Sequence, residues 1–157
     1  MRAAQSSAGP EHRLYLREEE LDQAVDLLFL AARRFWRAAE GPLETRGLGP
    51  AHYRALAAIR RDEGLSVTTL KERLGVAKQS LARVLTELEQ AGFIARAAGA
   101  KDRRERRLSL TEAGRAAERD ASAALRERLA QVFRAAGAEQ VLGARAILSA
   151  LAAEETE

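Results

Sequence analysis

With 157 residues, 46% of them hydrophobic and 31% charged, the chain is long enough for one ordinary domain with a real core. It holds no cysteine, which excludes disulfides, thiolate zinc sites and thiol redox sensing. The net charge is only +3, but Lys71 to Arg107 holds ten basic and five acidic residues, so that segment carries +5 and the remainder −2.

Residues 1–12 are small and polar without periodicity and are expected to be a disordered tail. From Arg13 to Ala39 there is no Gly or Pro, and Leu14, Leu21, Val25, Leu28, Phe35 and Trp36 recur at helical spacing. Leu27 and Leu30 fill a neighbouring stripe, so this helix is apolar over a wide arc. At 1.5 Å per residue it would be about 40 Å long and would pack against a partner chain. Asp22 and Asp26 share one of its faces, where they are expected to be solvated or paired across an interface rather than an acid/base couple. Gly41-Pro42 is read as its stop, and the first helix with its connector is taken as residues 13–49.

A second helix is expected over Pro50–Arg61, with Pro at a permitted first-turn position and an apolar face of Tyr53, Leu56, Ala57 and Ile59. Ser66 reads as the N-cap of a third helix, Val67–Leu74, and Gly75 as a turn. A fourth helix runs from Lys78 to Gln90, with Leu81, Val84, Leu85 and Leu88 as its buried stripe and Gly92 as its end. Phe93–Arg96 and Leu108–Leu110 read as two strands of a hairpin around a basic loop. Thr111 caps a fifth helix reaching Ala135, Gly137 breaks it, and Ala138–Ala153 is a sixth. The expectation is a mainly α fold with a small β-hairpin wing: a winged helix-turn-helix domain over 50–112 and C-terminal helices over 113–157.

The chemistry lies in the third to fifth elements. Two short helices joined at a Gly-containing turn form a helix-turn-helix candidate, whose second helix fits the major groove. The outer face of that helix carries Lys78, Gln79, Ser80 and Arg83. Gln pairs bidentately with adenine and Arg with guanine, while Lys78 and Ser80 suit phosphate. The loop Lys101–Arg107 adds five basic residues and two acidic ones. A hairpin can deliver an arginine to the negative potential of a narrow minor groove. Asp102 would then hold Arg104 or Arg106 extended, with Arg103 beside them. A helix-turn-helix pattern alone is weak evidence and a charged hairpin alone is usually a solvated loop; the two together in this order are far more specific.

The stretches LSVTTLKERLGVAKQSLARVLTELEQAGFI (65–94) and DRRERRLSLTEAG (102–114) resemble the MarR family of bacterial winged helix-turn-helix regulators. The second contains Asp-x-Arg followed by Leu-x-Leu-Thr and Gly; KQSLARVL with the upstream GLGPAHYR resembles a subgroup common in alphaproteobacteria. The resemblance covers the ordered chain. It implies a homodimer joined through the first helix and the last two. It also implies Arg104 as the wing arginine oriented by Asp102, and an effector cleft that Trp36, His52 and Tyr53 could line. Trp36 and Tyr53 are also natural core residues. Ala77 departs from the family pattern, where Ser or Thr often caps the recognition helix, and Thr69 replaces the acidic member of a capping box at Ser66.

His12 and His52 are the only histidines and have no acidic ligand spacing around them, so no metal and no cofactor is expected. No nucleophile or phosphate-loop signature suggests an enzyme. No apolar run approaches a membrane span, and the N-terminus lacks the apolar core of a signal peptide. The expected function is a cytoplasmic, ligand-responsive repressor that binds double-stranded DNA as a homodimer on an inverted repeat. The rival readings are an architectural DNA binder of low specificity and a winged-helix protein-interaction module.

Overall fold

The computed structural model describes residues 17–98 and 106–153. They form α1 (Glu18–Glu44), α2 (Pro50–Arg61), α3 (Val67–Leu74), α4 (Lys78–Gln90), β1 (Ile94–Ala98), β2 (Arg106–Leu110), α5 (Glu112–Ala136) and α6 (Ala138–Ala152). The fold is a winged helix-turn-helix, mainly helical, with one antiparallel hairpin among the described residues. The expected tail and the wing residues Asp102, Arg103 and Arg104 lie outside the described residues.

Contacts divide the chain into two units at residues 35 and 36. In the first, α1 opens with Glu18, Glu19 and Glu20, whose carboxylates suit the positive end of the helix dipole. Its apolar residues Leu21, Val25, Leu27, Leu28 and Phe29 are exposed, Phe29 by 72%.

In the second unit, α1 passes the expected stop at Gly41-Pro42 and ends at Glu44. The true stop is Gly47, at φ +68°. There the Gly47 N–H donates to Glu44 O (2.9 Å) and the Leu48 N–H to Leu43 O (2.9 Å), which satisfies the last helical carbonyls. Leu43 and Leu48 are both buried at this turn. Burial of Ala39 and Leu43, one turn apart, outweighs the hydrogen bond that Pro42 cannot donate. The carbonyl of Pro42 accepts from Arg46 Nη1 (2.7 Å) and Thr45 Oγ1 (3.2 Å).

The core is built around α2, in which Ala55 to Ile59 are five consecutive buried residues. It packs against α3, α4, β2 and α5. Alanines at 55, 57 and 58 let those elements approach its backbone on several sides. Leu70 of α3, Leu81, Leu85 and Leu88 of α4, Leu108 and Leu110 of β2, and Ala117, Ala121 and Leu125 of α5 complete the core. This is the period-2 face of β2 expected from sequence and the 3.6-residue stripe of α4, except that Val84 is only half-buried.

The hairpin pairs Ile94 with Leu110, Arg96 with Leu108 and Ala98 with Arg106. Its strands are longer than expected, because backbone pairing continues beyond the residues with an apolar alternation. A third segment joins it, since Ser66 bridges Arg107. Gly64, at φ +84°, donates its N–H to Leu108 O (2.8 Å), and the Leu108 N–H donates to Leu65 O (3.0 Å). The base of the wing is thereby fastened to the start of the helix-turn-helix.

The C-terminal part of α5 and all of α6 leave apolar side chains uncovered. Leu129, Val132, Leu142, Ile147, Leu148 and Leu151 are exposed. A groove of about 510 Å³ between the two helices is lined by Leu129, Phe133, Val141, Arg145, Leu148, Ser149 and Ala152.

Candidate nucleic-acid interface

The helix-turn-helix is set by its caps. Ser66 Oγ accepts the Thr69 N–H at 3.1 Å, and the Thr69 hydroxyl lies 2.9 Å from the same oxygen. Only the Ser66 half of a capping box is therefore formed, because the Thr69 hydroxyl meets the Ser66 side chain and not its backbone N–H. Gly75 adopts the left-handed conformation at φ +60° and turns the chain. Ala77 takes the extended backbone of an N-cap but supplies no side-chain bond. Arg54 of α2 donates from Nη2 to the Leu74 carbonyl (3.0 Å), which ties the end of α3 to α2.

With Leu81, Leu85 and Leu88 buried, α4 presents Lys78, Gln79, Ser80, Ala82, Arg83 and Thr86 outward. The four recognition-helix residues expected from sequence are thus all exposed. Ser80 stands beside a small cavity of about 70 Å³ between α2, α3 and α4. Thr86 turns its hydroxyl to the Ala82 carbonyl (2.8 Å) and so is less available to a partner.

Arg83 is 82% exposed, yet it is held. Its Nε donates to Glu87 Oε1 at 2.8 Å, one helical turn on. The other carboxylate oxygen, Oε2, lies 2.8 Å from His52 Nε2 of α2. His52 Nδ1 accepts the Gly49 N–H at 3.0 Å, so the ring proton sits on Nε2 and points at Glu87. Donation from Arg83, and then from His52, holds the Glu87 carboxyl below the ordinary glutamate range. Glu87 was not among the sequence candidates. Its four-residue spacing from Arg83 was a legible signal; its contact with His52, 35 residues away, was not.

On the wing, Arg106 is exposed at the near end of β2. Arg107 donates from Nη1 to the Gly64 carbonyl (2.9 Å) and helps fasten the wing base. Arg96 Nε lies 2.9 Å from Glu89 Oε2, between β1 and the end of α4.

Of the three residues considered for an effector cleft, Trp36 and Tyr53 meet edge to face, with ring centroids 5.6 Å apart. Both are half-buried. The Tyr53 hydroxyl lies 2.8 Å from Ser122 Oγ of α5. Ser122 donates to the buried Glu118 (2.5 Å), whose second oxygen is 2.6 Å from Arg60 Nε. His52 is adjacent on α2, but its ring is engaged between Gly49 and Glu87.

Residues 46–105, the helix-turn-helix and the start of the wing, match the sequence profile of the MarR family. The HTH-type transcriptional regulator PetP of Rhodobacter capsulatus is 43% identical over 143 residues, which is 91% of this chain and 86% of that one. The chain belongs to the MarR family. It is thus a MarR-family transcriptional regulator. The HTH-type transcriptional repressor MdtR of Bacillus subtilis is 36% identical over 72 residues, 46% of each chain. Among solved structures, a mutant of MarR from E. coli complexed with operator DNA shares the fold, at TM-score 0.69 and 21% identity over 84% of this chain and 95% of that one. Among the described residues, no helix of this MarR-family chain is long and apolar enough to cross a membrane.

Proposed function

We propose that the protein is a homodimeric repressor that binds an inverted-repeat operator through α4 and the wing. The observation that carries this reading is the exposed cluster Lys78, Gln79, Ser80 and Arg83 on the first turns of a helix whose other face is fixed in the core. Those turns are the part of a recognition helix that meets base edges. Gln79 and Arg83 are the base readers, and Lys78 and Ser80 the phosphate contacts. The wing residues Arg103, Arg104 and Arg106 reach the flanking minor groove, with Asp102 orienting Arg104. The shared fold with a MarR protein complexed with operator DNA supports this docking, and the similarity to the repressor MdtR supports the direction of regulation.

The exposed leucines and Phe29 of α1, and separately those of α5 and α6, are the surfaces a second copy would cover. A two-fold dimer places two recognition helices in successive major grooves, so half-site centres fall about 10 base pairs apart.

A small-molecule effector would act at the α2–α5 contact, where Tyr53, edge to face with Trp36 of α1, meets Ser122. Tyr53 is next to His52, and His52 touches the residue that holds Arg83. A ligand that favours a shifted α2 would therefore alter the DNA face, provided it binds one arrangement better than the other.

Selection of the full chain against a random duplex library at about 150 mM salt tests the reading. The expected product is one short inverted repeat. Uniform recovery would assign the protein to low-specificity DNA binding, and no recovery to protein interaction.

A further inference from the structure

We infer that Glu87 and His52 are specificity-determining positioning residues: the carboxylate, held by the α2 histidine, sets the direction in which Arg83 meets a base. The inference rests on the proposed DNA face and goes beyond it.

An exposed arginine has many rotamers and reaches phosphate as readily as a base. Here one edge of the guanidinium is committed, because Nε is bonded to Glu87 Oε1 at 2.8 Å. A bidentate contact to guanine must then use the terminal Nη1–Nη2 edge. That fixes both the direction and the reach of the side chain. A carboxylate on an exposed helix would itself be mobile, and a lone surface pair of this kind holds weakly. Glu87 is not alone. Its second oxygen takes the His52 proton at 2.8 Å, and His52 is locked by the Gly49 N–H at 3.0 Å. The His52 side chain is only 17% exposed. The chain Gly49–His52–Glu87–Arg83 therefore runs from the backbone at the start of α2 to the surface of α4.

Glu87 also has an electrostatic consequence. A negative charge beside Arg83 disfavours approach to phosphate and so weakens non-specific binding. Loss of the carboxylate should therefore raise affinity for arbitrary DNA while lowering discrimination.

The test uses the full chain, its selected operator, and single-base-pair variants of that operator. Arg83→Ala identifies the base pair that Arg83 reads. Glu87→Gln and His52→Ala are then measured at that same base pair, with His52→Gln as the conservative variant that keeps a donor near the Nε2 position. Melting temperatures confirm that each variant is folded. The expected result is a loss of discrimination of about tenfold at that position in Glu87→Gln, within the range of one bidentate base contact. His52→Ala should show a smaller loss at the same position, and His52→Gln should recover it. Affinity of Glu87→Gln for scrambled DNA should rise. If Arg83→Ala relaxes one base pair but Glu87→Gln and His52→Ala do not, the inference is wrong and the DNA face stands. If Arg83→Ala relaxes none, the DNA face assigned to Arg83 fails and the inference fails with it.

Discussion

Gly114 of α5 lies directly against the carbonyl of Phe93, so that a Cβ at position 114 would overlap the Phe93 oxygen. The same carbonyl accepts the Thr111 N–H (3.1 Å), and the Thr111 hydroxyl donates to Gly92 O (2.7 Å) while accepting the Gly114 N–H (3.1 Å). The Thr-x-x-Gly of the sequence is therefore a clamp that seats α5 on the turn leading into the wing. Backbone, not a flexible side chain, blocks any larger residue. Gly114→Ala should destabilise the fold by about 2 kcal/mol, in the range of overpacking substitutions. The shift of the urea midpoint measures it, and an unshifted midpoint would remove the clamp from this account.

Ala77 suggests the opposite change. Its backbone is already extended, as an N-cap requires, and only the acceptor oxygen is missing. Ala77→Ser should let a hydroxyl accept the N–H of Gln79 or Ser80 and raise stability by about 0.5–1 kcal/mol. Thermal unfolding would report it as a higher Tm.

Not all ion pairs should matter equally. Arg60 faces Glu118, which is 4% exposed, whereas Arg73 and Asp62 are both open to solvent. Arg60→Ala strands a buried carboxylate that keeps only the Ser122 hydroxyl, and should cost about 1–3 kcal/mol. Arg73→Ala should change stability by less than about 0.5 kcal/mol. Equal effects in chemical unfolding would contradict this ranking.

Among the described residues, two carboxyls lie below the ordinary glutamate range: Glu87, through Arg83 and then His52, and Glu63, chiefly through the hydrogen bond from Arg115. A lowered folded-state value means that the stabilisation is present above the ordinary glutamate pKa and is lost as pH falls through the lowered value. Arg83 therefore stays tethered across neutral and mildly acidic pH. Side-chain carboxyl NMR should show Glu87 titrating late on acidification in the wild type and earlier in Arg83→Ala. Coincident curves would mean that the tether does not exist in solution.

Most of this fold was legible in the sequence, because its signals are local. The leucines of α4, the Gly75 turn, the Ser66 and Thr111 caps and the alternating Leu108 and Leu110 each announce an element within a few residues. The end of α1 was misplaced because Gly41-Pro42 is a strong local breaker, while the burial of Leu43 and Leu48 that overrides it is tertiary. The Ser66–Arg107 bridge and the His52–Glu87 bond join residues about 40 and 35 positions apart, and no periodicity encodes them. The outward residues of α4 were readable from its amphipathic pattern. The role of His52 was not, because an imidazole near a helix start serves equally to line a cleft or to hold a partner's carboxylate.

If α4 reads DNA sequence, Gln79 and Arg83 carry most of the discrimination. The most direct measurement is the ratio of affinities for the selected inverted repeat and for a scrambled duplex of the same length at about 150 mM salt. It should be made for the wild type and for the Gln79→Ala/Arg83→Ala double variant. The wild type should prefer the repeat by about a thousandfold or more, as specific regulators do, and the double variant should lose most of that preference while keeping its melting temperature. A folded double variant that discriminates as well as the wild type would contradict the claim.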